Sequence, residues 1–263
     1  MKNEIALVPT YWASVSGGKD SLYMLGYILS HPEKYPLNGV VHFELEIDFP
    51  FVADVVKEMR SMCAHVGIPF VSIKPRDSWF ELYERFGFPT RKARWCNSKY
   101  KLDAKRQLTE FLKEQGLACV SYIGYCADEV KRFSKRRGQT EIYPLVDAGI
   151  TEDKILEWAQ GQHCFHGWYI TQKRQGCMFC PMAKYSQYAY MLKYYPTKYN
   201  QMLEMMRNTE NELSERYGKP IAITQSNGKY NAVHLDYVVR FKHLPKLERM
   251  ERDFYERHKQ SAV

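Results

Sequence analysis

Two stretches of the chain carry residue types that could do chemistry. Residues 16–21 read SGGKDS, set between an apolar run and what reads as the start of a helix. Gly17 and Gly18 have no Cβ to hold a ligand away, and a helix beginning near Asp20 points unpaired N–H groups into the turn. Ser16 and Ser21 add hydroxyls and Lys19 adds a positive charge, so the turn suits an anion, phosphate above all. A Walker-type loop is excluded, because its first glycine must stand well apart from the Gly-Lys-Ser/Thr end and these glycines are adjacent. The plainer alternative is a strand-to-helix connection with convenient glycines. The second stretch, RQGCMFCP, sets Cys177 and Cys180 two residues apart in a turn made by Gly176 and Pro181, so that both sulfurs can face one metal. That pair is half a site. Further ligands are on offer from Cys96, Cys126 and the cluster His163, Cys164 and His166, the alternative being an incidental pair of thiols.

The elements that must position these residues alternate. YWASVS reads as a strand, DSLYMLGYILSH as a helix that Pro32 helps to close, and NGVVHFEL as the next strand. Val52, Val55, Val56, Met59, Cys63 and Val66 form one helical stripe ending at Gly67, which places Cys63 in the core. IPFVSIK gives a third strand, SKYKLDAKRQLTEFLKEQG a long helix, and LACVSYIGY a fourth strand that buries Cys119. Such alternation predicts an α/β fold, a parallel sheet covered on both faces, with ligands at the carboxyl ends of the strands, where SGGKDS falls. After residue 150 the pattern changes to a short helix, TEDKILEWAQGQ, that Thr151 is placed to cap, then a cysteine-bearing stretch, tyrosine-rich helices around 184–217 and an amphipathic tail helix. The expected division is a nucleotide-binding domain over 1–150 and a smaller, mainly helical, cysteine-bearing metal module over 151–263.

Composition bounds the partners. The chain has 263 residues, 45% hydrophobic and 26% charged, and no run near the roughly eighteen apolar residues of a membrane helix. A soluble protein with no membrane partner is expected. The N-terminus, with Glu4 inside its short apolar patch, reads as no signal peptide and hence as cytoplasmic. Seven cysteines in such a chain favour metal or redox chemistry over a disulfide framework. The formal charge of +8 favours polyanionic partners, nucleotide or nucleic acid.

SGGKDS resembles the pyrophosphate-binding PP-loop, S-G-G-x-D-S, of the adenine nucleotide alpha hydrolase superfamily. FELEIDFPF is similar to the D-T-G-x-E-x-P segment of the PAPS reductase family, with Glu44 and Glu46 in place of its aspartate and glycine. GFPTRKARWCNSKYK resembles that family's R-x-C-C/T-x-x-x-K element, IGYCADEVKR its G-I-R-A-D-E segment with Cys126 at the arginine, and YPLVDAGITEDKILEWA and GCMFCP its closing motifs. The resemblance spans about residues 10–185. It implies a Rossmann-like domain binding ATP phosphates through Ser16, Gly17, Gly18, Asp20 and Ser21, with Lys99 and Arg132 near an anionic substrate. It also implies a four-iron iron–sulfur cluster, or zinc as the alternative, on Cys96, Cys177 and Cys180; Asn97 stands where that family often has a second adjacent cysteine, so the fourth ligand is expected from elsewhere, Cys164 first and Cys126 as runner-up. His163 and His166 are read as fold or surface residues.

Reductases of that family attack sulfate with a cysteine on a C-terminal tail, and here no cysteine follows Cys180. The remaining chemistry is activation and sulfur insertion: an ATP pyrophosphatase adenylates a substrate oxygen and a sulfur donor displaces AMP. Mg²⁺ would bridge the phosphates, with Lys19, Asp20, Asp128 and Glu129 as the catalytic groups. The basic run KRFSKRRGQ, with Lys131, Arg132, Lys135, Arg136 and Arg137, suggests a nucleic-acid acceptor, or else a solvated loop. Similar enzymes act in DNA phosphorothioation beside a cysteine desulfurase. Two rivals stand: a sulfonucleotide reductase whose nucleophile is Cys126, its pKa lowered by Lys131 and Arg132, or one supplied by a partner; and a non-catalytic, zinc-stapled nucleic-acid-binding protein.

Overall fold

The computed structural model describes residues 7–130, 140–223 and 231–260. Arg132 and the rest of the 131–137 basic run fall outside the described residues. Five strands, β1 (Val8–Val15), β2 (Gly39–Phe43), β3 (Phe70–Ile73), β4 (Leu117–Tyr122) and β5 (Glu141–Ile142), form one sheet. All pairs are parallel and the spatial order is β3-β2-β1-β4-β5. This is the expected Rossmann-like, doubly wound arrangement. The chain winds outward from β1 through β2 to β3, then crosses back to β4 on the other side of β1, so the order reverses between β1 and β4.

The first unit comprises Met1–Leu45, Pro50–Arg76 and Lys101–Gly167. Helices α1 (Lys19–Leu29), α2 (Val52–His65), α4 (Leu102–Glu114), α5 (Pro144–Asp147) and α6 (Glu152–Gln160) belong to it. On one sheet face Val41 packs with Leu108 and Leu112 of α4, and the half-buried Cys119 joins them. The α2 stripe is buried at Val52, Val55, Met59 and Cys63, but Val66 is 49% exposed, because the helix ends at His65 and Val66 lies beyond the repeat. Thr151 stands at the N-cap of α6 without a side-chain cap bond; Asp128 Oδ1 instead accepts the Glu152 N–H at 3.0 Å.

The second unit comprises Glu46–Phe49, Asp77–Tyr100 and Trp168–Val263, so residues 151–167 pack with the sheet and residues 77–100 with the later helices. Its elements are α3 (Trp79–Phe86), α7 (Trp168–Thr171), α8 (Tyr185–Tyr194), α9 (Pro196–Tyr217), α10 (Ala232–Val238) and α11 (Leu244–Gln260). Helix α3 opens with a capping box from Ser78 and Glu81. Glu46 adds a carboxylate there, accepting from Trp79 N–H at 2.7 Å and from the Ser78 hydroxyl at 2.9 Å. Trp79 is fully buried, with its ring 5.3 Å from Phe179 and 5.4 Å from Trp95. Among the described residues no helix is long and apolar enough to cross a membrane.

Buried Glu210 on α9 joins separate backbone segments: Oε1 accepts the Ile223 N–H and Oε2 the Ala232 N–H, each at 3.0 Å. Glu210→Ala would leave both donors buried and unsatisfied, at about 1–3 kcal/mol each. The urea midpoint of this variant is expected to fall clearly, while an exposed control such as Glu204→Ala leaves it in place.

Candidate active site

The SGGKDS turn follows β1, and the segment Ile123–Glu129 follows β4, so the two flank the point where the strand order reverses. Gly18 is the N-cap of α1 in an extended conformation, and no side chain caps it there. The N–H groups of the first helical turn thus face the turn, the arrangement that favours an anion. The Ser21 hydroxyl donates to Gly18 O at 2.9 Å and accepts the Ser16 N–H at 3.3 Å, which fixes the turn from inside. Gly17 has φ +70°, and a Cβ there would stand 2.6 Å from Val52 Cγ1. Gly124 brings the β4 segment against the same turn: its added Cβ would meet Asp20 O at 2.9 Å. Nothing but hydrogen fits at either position.

Lys19 is fully buried. Its Nζ lies 2.6 Å from Asp20 Oδ1 and 3.6 Å from Glu152 Oε1. A lysine read from sequence as a phosphate cation is here the centre of an ion cluster beneath the turn. Burial raises the pKa of Asp20 above the usual carboxylate value; Lys19 opposes that shift and Glu129 adds to it. Glu129 is buried and its Oε2 accepts the Cys126 N–H at 3.2 Å, whereas Asp128 is exposed and caps α6. Asp20 and Glu152 thus flank Lys19, and Glu129 lies close enough to Asp20 to raise its pKa further. Mg²⁺ takes one or two carboxylates besides the phosphates it bridges, and Asp20 and Glu129 are of the ligand type it takes.

Cys126 carries the thiol on which the rival reductase reading would rest. Its thiol is fully buried and lies 3.5 Å from Asp20 Oδ1, to which it donates. Burial first, then the Asp20 charge, push its pKa well up, while Lys131 and Arg132, the cations expected to lower it, lie outside the described residues.

Sequence reasoning passed over His42. Among the described residues both its ring nitrogens are buried without a hydrogen-bond partner, and burial drives its pKa down to about 4, so the ring is neutral at neutral pH. It sits near the carboxyl end of β2, in register with Val15, the last residue of β1. A histidine inside the run VVHF was the available signal, since a polar residue there asks for a partner.

Of the remaining expected residues, Lys99 is exposed in the second unit, with Nζ 5.3 Å from the Phe86 ring centroid. Cys96 opens a π-helical turn, Cys96–Lys101, in that unit. Cys177 and Cys180 belong to the same unit, and burial first, then the proximity of the Cys180 thiol, raise the pKa of Cys96. Three thiols suit iron–sulfur or zinc by their chemistry, yet among the described residues no group of three or more His, Cys, Asp and Glu is gathered closely enough to hold a metal. Cys164 lies in the first unit, where burial and the charges of Glu58 and Asp54 raise its pKa. His166, with φ +48°, pairs through Nε2 with Asp54 at 2.9 Å, in keeping with a structural role.

No family model matches the chain. An uncharacterized protein of Methanocaldococcus jannaschii, MJ0973, is 25% identical over 205 residues, covering 74% of this chain; the chain spans about half of that relative, 47% of its length. Among solved structures, the U34-tRNA thiolase NcsA from Methanococcus maripaludis with its [4Fe-4S] cluster is similar over 89% of this chain and 83% of its own, at 15% identity and a TM-score of 0.40.

Proposed function

We propose that this chain is a PP-loop ATP pyrophosphatase that adenylates a nucleic acid for sulfur transfer. The observation that carries the reading is the SGGKDS turn at the strand-order reversal, where the helix N-terminus opens toward the position a phosphate chain would take. Gly17 and Gly124 let the turn pack tightly against Val52 and the β4 segment against the start of α1, Ser16 stands exposed, and Asp20 with Glu129 would hold Mg²⁺. The metal ion would supply charge neutralisation as pyrophosphate departs. Lys19 holds Asp20 in place from below, and neutral His42 offers a donor and an acceptor near the end of β2. An acceptor oxygen attacks the α-phosphorus, pyrophosphate leaves, and a sulfur donor then displaces AMP from the adenylated substrate. DNA phosphorothioation with a cysteine desulfurase as donor is the finer proposal, supported by the motif resemblance and the +8 charge.

The test is the product set from ATP with Mg²⁺, with and without nucleic acid and sulfide. AMP and pyrophosphate in equal amounts support the reading; ADP and phosphate, or no turnover at all, overturn it. The reductase alternative predicts sulfite from adenylyl sulfate, and the burial of Cys126, which raises its pKa, speaks against it.

A metal at Cys96, Cys177 and Cys180, iron–sulfur before zinc, is a separate proposal, and none of the steps above depends on it. Anaerobically purified parent is expected to carry iron or zinc, and Cys177→Ser and Cys180→Ser to lose most of it. Equal metal content in all three proteins would refute the assignment.

A further inference from the structure

A cavity of about 480 Å³ in the second unit is lined by Phe86, Ala93, Arg94, Trp95, Asn97 and Ser98. Phe86 ends α3 with 48% of its surface exposed, and Lys99 Nζ stands 5.3 Å from its ring centroid, a cation that a base stacking on Phe86 would meet or displace. Trp95 backs it at 6.1 Å between ring centroids and is itself held in place, since its indole N–H donates to Gly87 O at 3.0 Å.

The rim is basic. From Gly87 to Tyr100 the chain carries Arg91, Lys92, Arg94 and Lys99 and no carboxylate, and all four cations are exposed. Their backbone is set in advance. Thr90 and Ala93 close a tight turn, with Thr90 N–H donating to Ala93 O at 3.1 Å and Ala93 N–H to Thr90 Oγ1 at 3.0 Å, which presents Arg91 and Lys92 at its tip. Arg94 O accepts the N–H groups of Asn97 and Ser98, which fixes the backbone from which the Arg94 side chain extends. Of the carboxylates on the adjoining helix, Glu81 accepts the Ser78 N–H and Glu84 lines a separate groove with Glu204 and Glu212.

We propose that this cavity docks an unstacked base of a single-stranded nucleic acid, with Phe86 as the stacking surface and Arg91, Lys92 and Arg94 on the flanking phosphates. The proposal deepens the reading above and rests on it for the acceptor class. An exposed ring among cations fits a nucleobase and its phosphates because every base has a π-face and every linkage a negative charge. An acidic peptide would use the cations but not the ring. A duplex keeps its bases stacked and out of reach of Phe86.

Fluorescence anisotropy with labelled oligouridylate, oligothymidylate, a duplex of equal length and a polyglutamate peptide tests this without ATP, at low and moderate salt. Both single strands are expected to bind more tightly than the duplex or the peptide, and a difference between them reports the sugar. Phe86→Ala should weaken single-strand binding about tenfold, the scale of one lost base stack, with little change in its salt dependence. Arg94→Gln should weaken binding and flatten the salt slope by about one phosphate's worth. Parental single-strand affinity in both variants, or equal binding of the peptide, would overturn the proposal. Pyrophosphate release from ATP and Mg²⁺ with saturating nucleic acid is measured separately on the parent protein. Its absence would defeat the pyrophosphatase reading while the base-docking result stood, and the reverse outcome would defeat only the docking site.

Discussion

Asp20→Ala is expected to lower the stability of the chain by about 3 kcal/mol and to end pyrophosphate release. The fully buried Lys19 ammonium has Asp20 at 2.6 Å as its nearest carboxylate. Removing one partner of a buried pair strands the other, a loss of roughly 3–5 kcal/mol. The low end applies because Glu152 remains 3.6 Å away and Asp20 is itself 31% exposed. Urea unfolding should show a lower midpoint at an unchanged slope. The double variant Lys19→Met, Asp20→Ala removes the stranded charge, and most of the stability should return while pyrophosphate release does not. A single variant that unfolds with the parent would show the ion pair to be idle. One that keeps parental turnover would remove Asp20 from the active site.

The second large effect is expected at the two glycines of the turn. An alanine at position 124 would place Cβ 2.9 Å from Asp20 O, 3.1 Å from Asp20 C and 3.3 Å from Ser21 N. All three are backbone atoms at the start of α1, so relief requires the helix to move. Displacement on the scale of an ångström at a reacting centre reduces rate about a hundredfold, and Gly124→Ala should lose pyrophosphate release on that scale. Gly17→Ala combines a left-handed backbone, φ +70°, with a 2.6 Å approach to Val52 Cγ1. Pairing it with Val52→Ala relieves the contact and leaves only the backbone strain of roughly 1–2 kcal/mol. Gly67→Ala is the control, since it has φ +71° and nothing within 4 Å of its Cβ. It should lose some stability and keep its activity. Equal activities of Gly124→Ala and Gly67→Ala would show that close approach at the turn does not matter.

What the sequence reveals here follows physical range. The parallel α/β sheet is legible because hydrophobic periodicity and glycine placement are local, and SGGKDS announces a tight turn whatever surrounds it. Helix α3 was legible and was passed over: Ser78 and Glu81 are the reciprocal pair that opens it. The two-residue β5 is too short to carry a period. The identity of the α6 cap was out of reach, because Asp128 is far from Thr151 in sequence and adjacent only in the fold. The same holds for charge. The burial of Lys19 beside Asp20, and the Asp20 oxygen 3.5 Å from the Cys126 thiol, are likewise set by tertiary packing.

The Asp128 cap also closes a circuit. Gly124 presses the β4 segment onto the backbone of Asp20, Asp128 ties that segment to the first residue of α6, and the side chain of that residue, Glu152, leans on Lys19 beside Asp20. Three stretches far apart in the chain therefore hold one another in a ring, and none can open without breaking a contact in the next. The turn, the β4 segment and the start of α6 are therefore expected to open together, with one common opening free energy in amide hydrogen exchange.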